Sequence, residues 1–417
     1  MPVDSLLIVR RSFHHDQPWQ KTMSWDAVAA VLLVIMLLIL LISHLLSSDV
    51  TPTTVTTGAT TTGTPNTTTT VTVPAKVSKR EDVPVIPAVP EVLICGTSGV
   101  GSGELPRAIS TYCSHAIFTG ELIVDEDDYG AYYFHVPDKE ALSEFLKVRD
   151  HVKRYVSVGC SMFRDNGSAA LVGAVSRFLS KHELSGVELR AGSQEDLDAA
   201  VLLLRTFHRI HPTDLYLILR ISSALLPDKK FFEDVSMHLE HIIFESQELE
   251  ADHQHSIRFP NPYQPSGKAV TNGTFLKQQL SKVWALRQSL ERADGWCLSL
   301  SLGVIKNIRD SLYMHLARIT RYDYTSLHEV CGLLNNGEVK SNPRSMSRFL
   351  NTDYVFYGFE DRHSLVHKMS RLLHEFPGMC LAAYDVERDD VDGYFRASGH
   401  DVGAPLIGVL HSMVFPQ

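Results

Sequence analysis

The chain has 417 residues, of which 44% are hydrophobic and 21% are charged, and its formal net charge is -9 at pH 7. A chain of this length can form one large domain with accessory segments, and its acidic balance gives no support for a nucleic-acid partner. The six cysteines all follow residue 94, and none has the CxxC spacing of a zinc site. We therefore expect neither a metal nor another cofactor.

Residues 27–47 form one candidate membrane span near the N-terminus. From Ala27 to Leu46 the sequence contains no Asp, Glu, Lys or Arg, and about 20 apolar residues can cross a bilayer as a helix. The basic residues before the span are Arg10, Arg11 and Lys21, whereas the first one after it is Lys76. Because positive flanks tend to stay in the cytosol, residues 1–26 are predicted to be a cytosolic tail. The span starts too far from the N-terminus for an ordinary cleaved signal peptide, so the pattern predicts a signal anchor and a single-pass type II membrane protein.

Residues 48–90 are predicted to be an extended stalk. Threonine dominates from residue 51 to residue 73, and four prolines follow before residue 91. Such a composition cannot bury enough apolar surface to fold, and on the outer side of a membrane it is typical of an O-glycosylated stalk. The folded domain is therefore expected over residues 91–417, outside the cell or in a lumen. That location predicts oxidised cysteines and N-glycans at three sequons, Asn66, Asn166 and Asn272.

The segment from Leu184 to Gly192 reads LSGVELRAG and predicts a strand with one polar face. Because strand side chains alternate between faces, Glu188 and Arg190 lie on the same face as Gly186 and Gly192. An apolar outer face and a polar inner face fit one strand of a (β/α)8 barrel. A buried ion pair between Glu188 and Arg190 is the simplest explanation of these two charges.

This segment resembles the signature F-D-G-x-D-x-D-x-E of glycoside hydrolase family 18, which contains the chitinases and the chitinase-like lectins. The Asp positions of that signature fall on Ser185, Glu188 and Arg190, and the catalytic Glu falls on Gly192. The resemblance implies a chitinase fold in which Glu donates a proton and the neighbouring Asp orients the acetamido group of the substrate. Gly192 has no proton to donate, and Arg190 is permanently cationic. We therefore expect no catalytic residue at the degenerate positions.

Further fragments keep the family's order along residues 91–417, and they imply an α/β fold, a (β/α)8 TIM barrel with a small insertion before the last strand. The fragments that resemble the other seven strands are Val92–Cys95, Tyr112–Phe118, Tyr155–Ser161, Leu215–Ser222, Leu239–Glu248, Cys297–Val304 and Gly378–Asp385. The segment His328–Cys331 resembles a motif of the insertion, and Phe356–Lys368 resembles the segment before the last strand. A Trp that lies under the sugar in this family is replaced by Ala382.

The resemblance also implies particular pairings and contacts. It implies a disulfide between Cys95 and Cys113. Cys331 is left with two possibilities, a bridge to Cys380 or a free thiol, and the sequence does not fix the state of Cys160 or Cys297. The family's acetamido-binding Tyr and Asp fall on the last two residues of the sixth strand. The candidate substrate-binding residues are Glu188, Arg190, Gln247, Glu248 and Tyr384.

Three functions remain open from the sequence. The first is a membrane-anchored, inactive chitinase-like protein that binds glycans containing N-acetylglucosamine (GlcNAc) or a protein partner. The second is an active hydrolase that uses Glu188, Glu248 or another acid, and the third is a cell-surface scaffold without a ligand. The acidic run Asp385–Gly393 resembles a calcium loop only superficially, because it lacks the closing bidentate Glu.

Overall fold

A computed structural model describes residues 90–99, 101–163, 168–211, 215–222, 225–246, 257–264, 276–290, 295–309, 319–334, 338–392 and 405–415. All of them belong to one compact unit, Glu81–Gln417. The expected cytosolic tail, the membrane span and residues 48–89 of the stalk lie outside the described residues, as do the three sequons. Within the described ranges, no helix combines the length and the apolar character needed to span a membrane.

The described strands and helices alternate over most of this unit. In chain order the strands are β1 Leu93–Thr97, β2 His115–Phe118, β3 Ile123–Glu126, β4 Tyr132–His135, β5 Lys153–Gly159, β6 Gly186–Ala191, β7 Tyr216–Ile221, β8 His241–Phe244, β9 Trp296–Ser301, β10 Val304–Arg309, β11 Ile319–Thr325, β12 Val339–Asn342, β13 Ser347–Asn351, β14 Val355–Phe359 and β15 Cys380–Tyr384. The helices are α1 Leu105–Tyr112, α2 Lys139–Phe145, α3 Ser168–Lys181, α4 Gln194–Ile210, α5 Lys229–Val235, α6 Leu276–Gln288, α7 Leu327–Leu334, α8 Arg362–Glu375 and α9 Leu406–Val414.

Eight parallel strands close into a barrel. Their order around it is β1, β2, β5, β6, β7, β8, β9 and β15, and β15 pairs again with β1. This confirms the (β/α)8 barrel expected from the sequence, and every predicted strand fragment overlaps one of the eight. The barrel interior contains a cluster of side chains from successive strands, among them Ile94, Ile117, Tyr155, Ile218 and Ile243. The opposite faces pack against the helices, as the period of two in each strand requires.

Helix α4 begins directly after the motif strand because of a reciprocal cap. Ser193 accepts a hydrogen bond from the backbone N–H of Asp196, and Asp196 in turn accepts the N–H of Ser193. Asp196 Oδ2 also accepts the backbone N–H of Gly192 at 3.0 Å. The capping box therefore fixes the backbone of Gly192 at the carboxyl end of β6.

The insertion before the last strand is a five-stranded antiparallel sheet in the order β11, β10, β14, β13 and β12. A buried ion pair between Lys368 of α8 and Glu360 joins the insertion to the barrel. Lys368 Nζ also donates to the carbonyl oxygen of Asn261 at 2.8 Å and to Ser347 Oγ at 3.0 Å. A buried ammonium with this many acceptors holds several segments in one arrangement.

Two disulfides lie in the described domain. Cys95 and Cys113 are bonded as the resemblance implied. Cys297 is bonded to Cys380, its register partner on the neighbouring strand. A bridge between Cys331 and Cys380 is therefore wrong, because Cys380 already has a nearer partner. Cys331 is a buried thiol, and burial raises its pKa to about 12, so it stays protonated.

Candidate functional site

The motif strand β6 carries its two charged residues into different environments. Glu188 is completely buried inside the barrel, whereas Arg190, two residues closer to the carboxyl end, is exposed. Gly192 is exposed just beyond the strand. Gly186 is required for packing, since a Cβ there would lie 2.0 Å from the carbonyl oxygen of Tyr216. Ser185 precedes the strand, and its hydroxyl accepts the backbone N–H of Arg154.

Glu188 forms an ion pair with Arg220 of β7, not with Arg190 as the sequence suggested. Arg220 Nε lies 3.3 Å from Glu188 Oε1 and 3.8 Å from Glu245 Oε1, and all three side chains are at most 8% exposed. Arg190 and Arg220 are register partners on adjacent strands. Only one of these two cations enters the interior, where it is neutralised by two carboxylates, and Arg190 remains in solvent.

Tyr384 closes the polar network from the other side of the barrel. Its hydroxyl donates a hydrogen bond to Glu188, and the Arg220 guanidinium lies 4.6 Å from the centre of its ring. Burial, together with the nearby negative charge of Glu188, raises the pKa of Tyr384, which therefore acts as a neutral donor. The ring occupies the space beside Gly96, where a Cβ would lie 2.2 Å from it. Tyr384 and Glu188, both predicted to contact substrate, are thus buried in the barrel interior.

Arg190 lines a cavity of about 400 Å³ at the carboxyl ends of β2, β5 and β6. Its walls are Thr119, Gly120, Glu121, Leu122, Ser157, Gly159, Ser161, Met162 and Arg190. Among these residues Arg190 is the cation and Glu121 the carboxylate. The cavity therefore places hydroxyl groups and two opposite charges at the mouth of the barrel, where barrel enzymes hold their ligands.

Glu387 is a second carboxyl group at the mouth, and the sequence analysis did not single it out by itself. It follows β15, and its Oε1 accepts the Ser98 hydroxyl at 2.8 Å. Burial raises its pKa, and the neighbouring Asp385 carboxylate raises it further. Its only signal in the sequence was its place in the acidic run after the eighth strand. A carboxyl group with a raised pKa is a candidate proton donor.

The rest of that acidic run has a structural role. Asp389 is buried and accepts the backbone N–H groups of Leu406 at 3.0 Å and Ile407 at 2.9 Å. It thereby satisfies two backbone N–H groups at the start of α9 and caps that helix. Burial raises the pKa of Asp389 to about 6 in spite of these N–H donors. This use of Asp389 explains part of the acidic run without a metal ion.

Possible metal ligands lie at the opposite end of the barrel. The side chains of His115, Glu240 and His241 place their ligand atoms within 4.8 Å of one another, and His241 also lies near the Cys297–Cys380 pair. However, Glu240 is already bonded to the ammonium group of Lys153 and the hydroxyl of Tyr155. The two sulfur atoms are joined in a disulfide. These groups form an ion-pair cluster whose carboxylate is already neutralised.

The pKa values of Glu240 and His241 in that cluster are both lowered. Burial opposes the ionisation of Glu240, but hydrogen bonds from His115, Lys153 and Tyr155 outweigh it and lower the pKa to about 2. Burial, assisted by repulsion from His115, lowers the pKa of His241 to about 4. His241 is therefore neutral at physiological pH, and Glu240 is ionised.

No protein-family model matches the chain, and no curated protein sequence matches it. Solved structures match it in fold. They include an immunomodulatory active chitinase from Trichuris suis, with 12% identity, a TM-score of 0.60, and coverage of 78% of this chain and 99% of that one. The Group IV chitinase of Ostrinia furnacalis gives the same four values. This protein has a chitinase-like fold.

A third match is a protein described as a pseudo-chitinase. Human YKL-39, with retained chitooligosaccharide binding properties, matches with 11% identity and a TM-score of 0.57 over 77% of this chain and 98% of that one. The chitinase-like barrel thus occurs both in active chitinases and in a pseudo-chitinase. Two further candidates, Gln247 and Glu248, lie outside the described residues.

Proposed function

We propose that this protein is a catalytically inactive, chitinase-like protein that recognises GlcNAc-containing glycans at the mouth of its barrel. The observation that carries the proposal is the arrangement on β6. The one carboxylate of the motif, Glu188, is buried against Arg220 and Tyr384, while Arg190 and Gly192 occupy the exposed end of the strand.

The chemistry of glycoside cleavage supports inactivity. Protonation of the leaving oxygen requires a carboxylic acid that reaches the substrate, and general acid catalysis contributes roughly 10²–10⁴-fold to a rate. Gly192 has no ionisable side chain. A guanidinium at Arg190 would disfavour the positive charge that develops on the sugar ring in the transition state.

Glycan recognition is supported by the cavity beside Arg190. A volume of about 400 Å³ lies within the range of roughly 300–1,000 Å³ that is usual for small-molecule sites. The cavity combines the apolar side chains of Leu122 and Met162 with the hydroxyl groups of Ser157 and Ser161. Apolar surface for a ring face and polar groups for its hydroxyls are what a sugar requires. The pseudo-chitinase with retained chitooligosaccharide binding provides a precedent for this combination of fold and function.

The apolar segment from residue 27 to residue 47 and the threonine-rich residues after it support display of the barrel on a membrane, in the type II orientation. In this proposal the stalk holds the barrel away from the bilayer, and the N-glycans and disulfides follow from the outer location.

The main rival is an active hydrolase, and Glu387 is the observation that favours it. This carboxyl group is at the mouth and has a raised pKa, as a general acid requires. It is held by Ser98 on the side of β1 and β15, and it is not among the residues that line the Arg190 cavity.

Two assays with the full-length protein separate these functions. The proposal expects retention on GlcNAc-polymer beads and no turnover of fluorogenic chito-oligosaccharides. Turnover that Glu387→Gln abolishes, while the matched surface variant Glu338→Gln leaves it intact, would establish the hydrolase instead. Failure to bind any GlcNAc polymer or soluble GlcNAc oligosaccharide would contradict recognition and leave the scaffold function.

A further inference from the structure

We propose that the Arg190 cavity binds the anionic group, a carboxylate or a sulfate, of an acidic N-acetylhexosamine glycan. This inference rests on the proposed function in one respect, because it assumes that a glycan binds at the mouth of the barrel. It adds the ligand class that this mouth selects.

The positive charge of Arg190 is available at the mouth. Two buried carboxylates, Glu188 on the same strand as Arg190 and Glu245 directly after β8, are both matched by Arg220. Arg190 lies at the same level of the barrel as Arg220, but its side chain is exposed. The interior therefore has its own cation, and the charge of Arg190 faces solvent and the cavity.

The absence of a side chain at Gly159 leaves room beside this cation. Gly159 is the register partner of Arg190 on β5. A Cβ at Gly159 would lie 3.3 Å from Ser161 Oγ and 4.0 Å from Arg190 Nη2. The guanidinium and a hydroxyl group thus border the same open space, and any larger residue at position 159 would narrow it.

These donors match an oxyanion. A guanidinium presents parallel N–H groups that fit two oxygens of a carboxylate or sulfate. Ser161 adds a hydroxyl donor, and Ser157, two residues before Gly159, lies on the same strand face and also lines the cavity. Neutral chitin can accept hydrogen bonds from Arg190, but it carries no negative charge to pair with the guanidinium.

Glu121 is suited to the part of the ligand that carries no negative charge. This exposed carboxylate also lines the cavity and would repel a small inorganic anion. It can accept hydrogen bonds from sugar hydroxyls or from an acetamido N–H. A cavity with one cation and one acceptor carboxylate therefore suits a ligand that carries both an anionic group and donor groups, as an acidic amino-sugar glycan does.

The test measures the affinity of the full-length protein for three probes of equal length: a neutral GlcNAc oligomer, its 6-O-sulfated form, and a GlcNAc–uronic acid oligomer. Inorganic sulfate is the fourth probe. We expect at least one acidic oligomer to bind about tenfold or more tightly than the neutral one at low salt, with a smaller ratio at high salt. Sulfate alone should bind weakly. The preferred probe, sulfate or uronate, identifies the source of the anionic group.

Variants assign the effect to Arg190. Arg190→Gln should reduce the ratio of acidic to neutral affinity to about one, and Arg190→Lys, which keeps the positive charge, should retain part of that preference. Arg107→Gln, which removes the same charge from the exposed surface of α1, should leave the ratio unchanged. Glu121→Gln should tighten the binding of sulfate.

The possible failures are distinguishable. Equal or tighter binding of the neutral oligomer overturns the ligand class but leaves the proposed function in place. An equal loss of preference in Arg107→Gln also overturns the site, because it would indicate a general charge effect. No binding of any oligomer overturns the proposed function together with this inference.

Discussion

Arg220 Nε lies 3.3 Å from Glu188 Oε1, so the buried carboxylate of β6 is neutralised by a cation from the next strand. This contact gives Glu188 a structural role in the interior of the barrel. Glu188 and Tyr384 are hydrogen-bonded to each other inside the barrel. Glu188 is not among the residues that line the Arg190 cavity.

Removal of the negative charge at position 188 should therefore affect stability. Glu188→Gln removes one of the carboxylates that pair with the buried Arg220 guanidinium, and breaking a buried pair costs about 3–5 kcal/mol. Arg190→Gln, on the same strand face but exposed, should change the unfolding free energy by less than about 0.5 kcal/mol. Denaturant unfolding of the two variants checks this difference. If both lost the same free energy of unfolding, the buried Glu188–Arg220 pair would contribute no more to stability than the exposed Arg190.

The ion-pair cluster at the amino end of the barrel should make the fold sensitive to acid. The pKa of His241 is about 4 in the folded chain, against an ordinary value of 6.5 for histidine. The folded state therefore binds fewer protons, and stability falls as the pH decreases from 6.5 to 4, by about 3 kcal/mol in all. His241→Phe should remove this part of the slope. Unfolding free energies measured across that range decide the point, and an unchanged slope would exclude His241 as its source.

Asp389 should have the opposite effect in nearly the same range. Its pKa is about 6 in the folded chain, above the ordinary value of 3.8 for an aspartate. The folded state binds more protons than the unfolded chain, so the contribution of Asp389 is present below pH 4 and is lost as the pH rises through 6. Asp389→Asn cannot ionise, so its stability should rise more steeply than that of the wild type between pH 4 and 6. If the stabilities of Asp389→Asn and of the wild type changed in parallel with pH, this role of Asp389 would be contradicted.

The Cys297–Cys380 disulfide should be a major support of the insertion. It closes a loop with a sequence separation of 83 residues, which contains all five strands of the inserted sheet. The loop-entropy relation gives about 4.5 kcal/mol for a bridge of this length. We expect the double variant Cys297→Ala, Cys380→Ala to lose stability on this scale, and Cys331→Ala, which removes a buried thiol without a bridge, to lose less. Peptide mapping of the non-reduced protein checks the pairing directly.

The barrel could be predicted from the sequence for two reasons. The alternation of polar and apolar residues is visible within a single strand, and the family-like fragments follow one another in the expected order along the chain. The eight strands and the Cys95–Cys113 bridge lie where they were expected. The partner of Glu188 was not predictable from its own strand, because Arg220 is 32 positions away and only the β6–β7 register brings the two together. Glu387 and Asp389 lie in one acidic run, and the sequence does not distinguish their roles. In the structure Glu387 lies at the mouth with a raised pKa, whereas Asp389 caps helix α9.

The most direct test of the account is a turnover assay with the full-length protein on fluorogenic chito-oligosaccharides across pH 4–8, compared with Glu188→Gln and Glu387→Gln. We expect no hydrolysis above background for any of the three, because in the proposed function neither Gly192 nor Arg190 supplies a carboxylic acid to the substrate. Hydrolysis by the wild type that either substitution abolishes would show that a carboxyl group does reach the substrate, and it would contradict the account.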